Sequence, residues 1–196
     1  MTLPEFLKLA PRGDLWIFGY GSLMWSPGFR SRDKSAGKVH GYHRSFCVYS
    51  HRYRGTARRP GLVMGLCRGG SCWGVAYCVP PRQAPRVLAK LWRREMRNRV
   101  YEPRFVRVRI RGRRQIRALA FVADPQHRQF AGDLSVTRTA RLIAQGRGER
   151  GRNLDYLSYT LAHMHELGVS DPHLDRILLA VLSLQKAARK RQNRSR

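Results

Sequence analysis

The chain has 196 residues, with 39 Lys+Arg against 12 Asp+Glu and a formal charge of +27. Apolar residues make up 42%, an ordinary globular share that excludes a disordered chain. The longest apolar run, residues 177–182, falls far short of the roughly 20 residues that a membrane-spanning helix needs, and residues 1–14 lack the apolar segment of a secretion signal.

Residues 15–18, Leu-Trp-Ile-Phe, form a short run rich in β-formers that breaks at Gly19-Tyr20-Gly21-Ser22, which predicts a buried strand feeding a glycine loop. A second strand is predicted over 39–49, followed by a loop over 51–61. Residues 62–67 and 72–79 flank Arg68-Gly69-Gly70-Ser71, and a Gly-Gly pair between two β-rich runs signals a tight hairpin. A helix starts after Pro85 and runs to Met96. Residues 105–111 alternate apolar Val106, Val108 and Ile110 with basic Arg107, Arg109 and Arg111, the mark of a strand with one wet face. Residues 115–123 read as its antiparallel partner across Gly112. A helix follows over 137–145, then one capped by Asn153 and ending near Gly168. Asp171-Pro172 opens a last helix to Ala188. Strands first and helices late predict an α+β fold with mostly antiparallel pairing. One cytoplasmic domain over residues 1–186 is expected, with a frayed basic tail over 187–196.

Cysteines 47, 67, 72 and 78 form no CxxC pair, so no structural metal is expected. Arginine supplies most of the cations, and they are spread along the chain except for the block from Lys186 onward. A nucleic-acid binder usually gathers its cations on one element, so nucleic acid is not the expected partner, although such a field draws in anions.

Among so few carboxylates, Glu95 stands out. Val87, Leu91 and Glu95 form one i, i+4 ridge on the helix after Pro85, beside the ridge of Leu88, Trp92 and Met96, so an acid continues the stripe that faces the core. It is either a structural salt bridge to one of many arginines or a general base in a cleft. The Gly19 to Leu23 segment lacks the third glycine of a dinucleotide fingerprint and the glycines of a nucleophile elbow. It reads as a bend whose backbone N–H groups approach a ligand, or as an ordinary turn. On the helix from Asn153, Leu154, Leu157, Leu161 and Met164 make the apolar face. Tyr156, Tyr159 and His163 fall on the far side, where Tyr156 either presents its hydroxyl or packs on a sheet.

The stretch from Trp16 through Gly19-Tyr20-Gly21-Ser22-Leu23 to Phe29 resembles the amino-terminal signature of the ChaC-like, glutathione-specific γ-glutamylcyclotransferases. Arg54-Gly55-Thr56 with Arg59-Pro60-Gly61, Trp73-Gly74-Val75-Ala76-Tyr77, Arg94-Glu95-Met96 and Gly151 to Leu157 follow in that family's order. The resemblance implies a mixed sheet closing into a small β-barrel with flanking helices. It also implies a cofactor-free, metal-free reaction on glutathione that yields 5-oxoproline and cysteinylglycine. Glu95 falls on the family's catalytic glutamate. Ile17, Phe18, Gly19, Tyr20, Gly21, Ser22 and Leu23 fall on its substrate-binding loop, with Tyr101, Tyr156 and Arg54 in supporting substrate-binding roles. The chain departs from the family pattern in its charge, with Arg97, Arg99 and Arg104 crowding the segment after Glu95. Two other readings stay open: a cyclotransferase for other γ-glutamyl amino acids or amines, and a non-catalytic basic nucleic-acid-binding protein. The second accounts for the charge but for neither Glu95 nor the loop.

Overall fold

The computed structural model describes residues 1–110 and 115–194. They divide into two compact units, one of residues 1–45, 65–110 and 115–128, the other of residues 46–64 and 129–194.

In the first unit the alternating pattern at residues 105–110 does what its period requires: Val106, Val108 and Ile110 are buried while Arg107 and Arg109 are exposed. That strand, β4 (Tyr101–Ile110), pairs antiparallel with β5 (Gln115–Ala123), Tyr101 lying opposite Ala123 and Arg109 opposite Gln115. The turn expected at Gly112, with Arg111 at the strand end, lies outside the described residues. β5 in turn runs parallel to β1 (Leu15–Gly19), with Trp16 beside Ala118 and Ile17 beside Leu119. With β2 (Asp33–Ser50) and β3 (Gly61–Val79) the strands close into a barrel in the order β1-β3-β2-β4-β5. Closure leaves no open sheet edge. This is the α+β barrel that the sequence led us to expect.

The expected hairpin at Arg68 to Ser71 is absent, because β3 is a single strand of 19 residues. Gly69 and Gly70 do take the left-handed conformation, at φ 94° and 68°. Such glycines serve a bend within a strand as well as a reversal, and a barrel needs its long strands to bend. β2 likewise starts at Asp33, ahead of the expected residue 39, and carries Gly41 at φ 81°.

A short 3-10 turn over Pro81–Gln83 leads into α2 (Ala84–Glu95), where Pro85 sits in the first turn. Val87, Leu88 and Leu91 are buried, and Trp92 packs 5.4 Å from Phe6 of the short helix α1 (Leu3–Leu7). Phe6 also meets Phe121 of β5, so residues 118–123 are buried on both faces of the strand.

The second unit holds three helices. α3 (Val136–Gln145) is capped by Ser135, and a two-residue pair of strands, β6 (Arg147–Gly148) and β7 (Gly151–Arg152), leads to α4 (Asn153–Glu166). Asn153 is the first helical residue rather than the cap. It is fully buried, and its amide is committed elsewhere: Oδ1 accepts from the Leu62 N–H at 2.6 Å and Nδ2 donates to the Leu62 carbonyl at 2.7 Å. Gly168, at φ 66°, ends α4 as expected. Leu154, Leu157, Leu161 and Met164 are buried, but so is Tyr156 at 5% exposure, whereas Tyr159 is 53% exposed. The expected grouping of the two tyrosines on one far face therefore fails. A helix surrounded on more than one side buries a wider arc than one apolar stripe.

Asp171 caps α5 (Pro172–Arg194), its Oδ1 accepting from the N–H groups of His173 and Leu174 at 3.2 Å. The expected end at Ala188 is corrected, for α5 continues through the basic residues to Arg194. Alanine, arginine, lysine and glutamine are good helix formers, so charge alone does not stop the helix. Ser195 and Arg196 lie outside the described residues. Among the described residues no helix is long and apolar enough to cross a membrane.

Candidate active site

β1 delivers the glycine loop. Ile17 and Phe18 are fully buried on opposite faces of the strand, which closes their side chains to a ligand. The strand lies hard against β3 at its end, where a Cβ at position 74 would sit 2.2 Å from the Gly19 carbonyl oxygen. Beyond Gly19 the chain turns tightly: Met24 N–H donates to the Gly21 carbonyl at 2.8 Å and Ser26 N–H to the Ser22 carbonyl at 3.0 Å. In such a turn the leading N–H groups, those of Gly21, Ser22 and Leu23, are not consumed by the turn's own bonds.

Side chains hold this turn from several directions. The Tyr20 hydroxyl donates to the Phe121 carbonyl at 2.5 Å, and Arg44 Nη1 donates to the Tyr20 carbonyl at 2.7 Å. The Tyr77 hydroxyl lies 2.7 Å from the Met24 carbonyl and 2.9 Å from that of Leu23, sharing its proton between them. Burial pushes Tyr77 up to about 12, partly offset by the Arg94 charge, so the phenol stays a donor.

The last turn of α2 brings the acid to the loop through its neighbour. Arg94 Nε lies 2.9 Å from Glu95 Oε1, Nη2 donates to Ser22 Oγ at 2.8 Å, and Nη1 donates to the Ser26 carbonyl. The Glu95 side chain is 15% exposed and that of Arg94 22%. The acid is thus largely desolvated and ion-paired. Lys90, one turn earlier, reaches the Gly28 carbonyl at 3.0 Å. Of the arginines expected to crowd this segment, Arg99 and Arg104 are exposed, and Arg104 pairs with Glu102 at 2.6 Å. Tyr101 opens β4, half-buried.

Arg54 and Tyr156 meet in the second unit. The guanidinium of Arg54 stands 5.3 Å over the Tyr156 ring, and its Nη1 donates to the carbonyls of Arg150 at 2.7 Å and Arg152 at 3.1 Å. Desolvation lowers the Arg54 pKa from its usual value, opposed by the nearby Tyr156 and Asp155, and an arginine stays cationic regardless. The Tyr156 hydroxyl accepts from the Met64 N–H at 3.4 Å, and its ring meets Phe46 edge-on at 5.9 Å.

The first unit therefore gathers Gly19 to Leu23 with Glu95, and the second gathers Arg54 with Tyr156. Sequence reasoning assigned no role to Arg94, Tyr77 or Arg44. Arg94 enters the sequence reading only as the neighbour of Glu95 in the Arg94-Glu95-Met96 motif. Arg44 carried a signal of its own, a charge at the inward parity of Phe46 and Val48 in an apolar strand.

The ChaC-like protein family matches the chain over residues 15–184. The glutathione-specific γ-glutamylcyclotransferase of Escherichia coli K12 is 37% identical over 172 residues, covering 88% of this chain and 74% of the relative. The human glutathione-specific γ-glutamylcyclotransferase 1 is 37% identical over 182 residues, covering 87% and 82%. Among solved structures, a yeast γ-glutamyl cyclotransferase specific to glutathione aligns with a TM-score of 0.81 at 22% identity, covering 88% of this chain and 97% of the other, a likeness of fold.

Proposed function

Because the chain belongs to the ChaC-like protein family, we propose that it is a glutathione-specific γ-glutamylcyclotransferase, with Glu95 as the group that moves the protons. In a γ-glutamyl amide the α-amine can reach its own γ-carbonyl. The new bond joins that nitrogen to the carbonyl carbon and closes a five-membered ring. The bond from the same carbon to the cysteinyl nitrogen breaks. The products are 5-oxoproline and cysteinylglycine, and no nucleophile from the protein is needed.

The attacking nitrogen arrives as an ammonium and ends as the ring amide N–H, while the cysteinyl nitrogen starts as an amide N–H and ends as an ammonium. Overall, two protons pass from the attacking to the leaving nitrogen. Glu95 accepts from the first and donates to the second, acting as base and then as acid. Holding amine and carbonyl together supplies much of the rest, since well-oriented intramolecular reactions reach effective molarities on the order of 10⁵ to 10⁸ M. The N–H groups of Gly21, Ser22 and Leu23 receive the negative charge that gathers on the γ-carbonyl oxygen.

The observation that carries this reading is the bridge made by Arg94, which touches Glu95 at 2.9 Å and Ser22 Oγ at 2.8 Å, so base and loop act as one piece. The substrate-binding roles of Tyr101, Arg54 and Tyr156 rest on the family resemblance. The reading places the protein in the cytoplasm, where glutathione keeps thiols reduced, in keeping with four cysteines that form no disulfide among the described residues.

The test is Glu95→Gln, which removes the proton acceptor and keeps the shape. Release of 5-oxoproline from glutathione should fall at least about a hundredfold with the fold intact. Turnover at the wild-type rate would refute the mechanism. Running γ-glutamylalanine beside glutathione checks the substrate, with glutathione expected to be much the better.

A further inference from the structure

Arg44 stands where the strand pattern calls for an apolar side chain. It shares the inward parity of Phe46 and Val48 on β2 and is 7% exposed. Burying a guanidinium strips its hydration, a cost that its hydrogen bonds must offset. What the charge holds is specific. Nη1 donates to the Tyr20 carbonyl at 2.7 Å, Nη2 donates to the Trp73 carbonyl at 2.6 Å, and Nη1 also lies 3.8 Å from Met24 Sδ. One cation therefore ties the root of the loop to β3.

We infer that Arg44 is a positioning residue of the cyclotransferase, which aims and polarises the Gly21 N–H that receives the developing negative charge. This rests on reading the loop as the cradle of the γ-carbonyl oxygen. The peptide joining Tyr20 to Gly21 is planar and trans, so the Gly21 N–H points opposite to the carbonyl that Arg44 grips. Fixing one end of that amide on a buried cation fixes the direction of the other. A charged donor on the carbonyl also draws electron density through the amide and makes its N–H a stronger donor, the cooperativity of linked hydrogen bonds in a low-dielectric surrounding. The positive charge is felt at the reacting oxygen without touching it. Its effect grows as the oxygen becomes anionic, so it acts on the chemical step more than on substrate binding.

Two variants separate this from a structural role. Arg44→Met keeps length and bulk and removes the charge, whereas Arg44→Lys keeps the charge but not the two-pronged grip. Steady-state turnover of glutathione by each variant gives kcat and KM separately, and thermal unfolding gives its stability. Deleting an oxyanion donor costs about 10² to 10³ in kcat, and here the donor remains but is misdirected, so Arg44→Met should lose roughly 10 to 100-fold in kcat. Its KM should stay within about threefold, and its melting temperature should fall modestly, because the Tyr20 and Trp73 carbonyls lose their donor. Arg44→Lys should recover much of kcat. In the lysine variant the amide proton of Gly21 should also move upfield by NMR, since the weaker grip polarises it less.

An Arg44→Met protein with wild-type kcat, or one whose loss falls on KM alone, overturns the inference. If the methionine variant does not fold, an unchanged Gly21 amide shift in Arg44→Lys overturns it instead. A wild-type protein without cyclotransferase activity would overturn the function proposed above, whereas an active wild type with an unaffected methionine variant sinks the role of Arg44 alone.

Discussion

Replacing Arg94 by glutamine removes the bridge between the acid and the loop while leaving a side chain that fits the same space. The guanidinium makes a charge-assisted contact with Glu95 at 2.9 Å and donates to Ser22 Oγ at 2.8 Å. The side chains are 22% and 15% exposed, so solvent screens the pair only weakly. A hydrogen bond to a charged group is worth about 1.5 to 3 kcal/mol, which corresponds to a loss of roughly 10 to 150-fold in kcat/KM when the contact serves the reaction. Stability should change less, because Tyr77 and Arg44 still hold the turn. The assay is coupled detection of cysteinylglycine under steady-state conditions. Arg94→Lys should recover only part of the loss, since an ammonium is a point charge and cannot present a fork to the serine and the acid together. A double-mutant cycle sharpens the test. If Arg94 works through Glu95, the Arg94→Gln change should cost little once Glu95 is already glutamine. An Arg94→Gln enzyme within about twofold of the wild type, or a full additive loss in the double variant, would refute the reasoning.

Three further outcomes follow from the groups around this site and in the second unit. Tyr77→Phe removes a buried donor shared by two loop carbonyls and should cost about 1 to 3 kcal/mol in denaturant unfolding. Tyr77 also sets a pH dependence. Its folded value near 12 exceeds the ordinary 10, so its contribution is complete below pH 10 and is lost as pH rises towards 12. That is up to roughly 3 kcal/mol, and the alkaline decline should be shallower in Tyr77→Phe; an identical decline would refute the assignment. Asn153→Ala strands the buried N–H and carbonyl of Leu62 and should destabilise by about 2 to 5 kcal/mol. A loss below about 1 kcal/mol in chemical denaturation would show that the amide is dispensable.

What is legible in the chain and what is not divide along a physical line. The strand at residues 105–110, its partner β5 and the stripe of α2 ending in Glu95 are properties of local period, and a period of two or of 3.6 is present in the chain before it folds. The Gly-Gly pair of β3 misleads for the same reason: φ > 0 is a local fact, but whether it reverses a strand or bends it depends on what the next residues pair with. Tyr156 falls on the wrong face of a helical projection because helical angle alone does not count how many neighbours a helix has.

By itself, then, the sequence determined the elements, the α+β class and the acid at the end of an apolar ridge, and its motifs pointed to a family. Only the folded chain decided which groups serve that acid. Arg44 is 24 residues from the carbonyl it holds, Arg94 is 72 from Ser22, and Tyr20 is 101 from its acceptor on β5. Hydrogen bonds reach about 3 Å, so partners that distant along the chain are chosen by barrel closure and packing and leave no spacing to read.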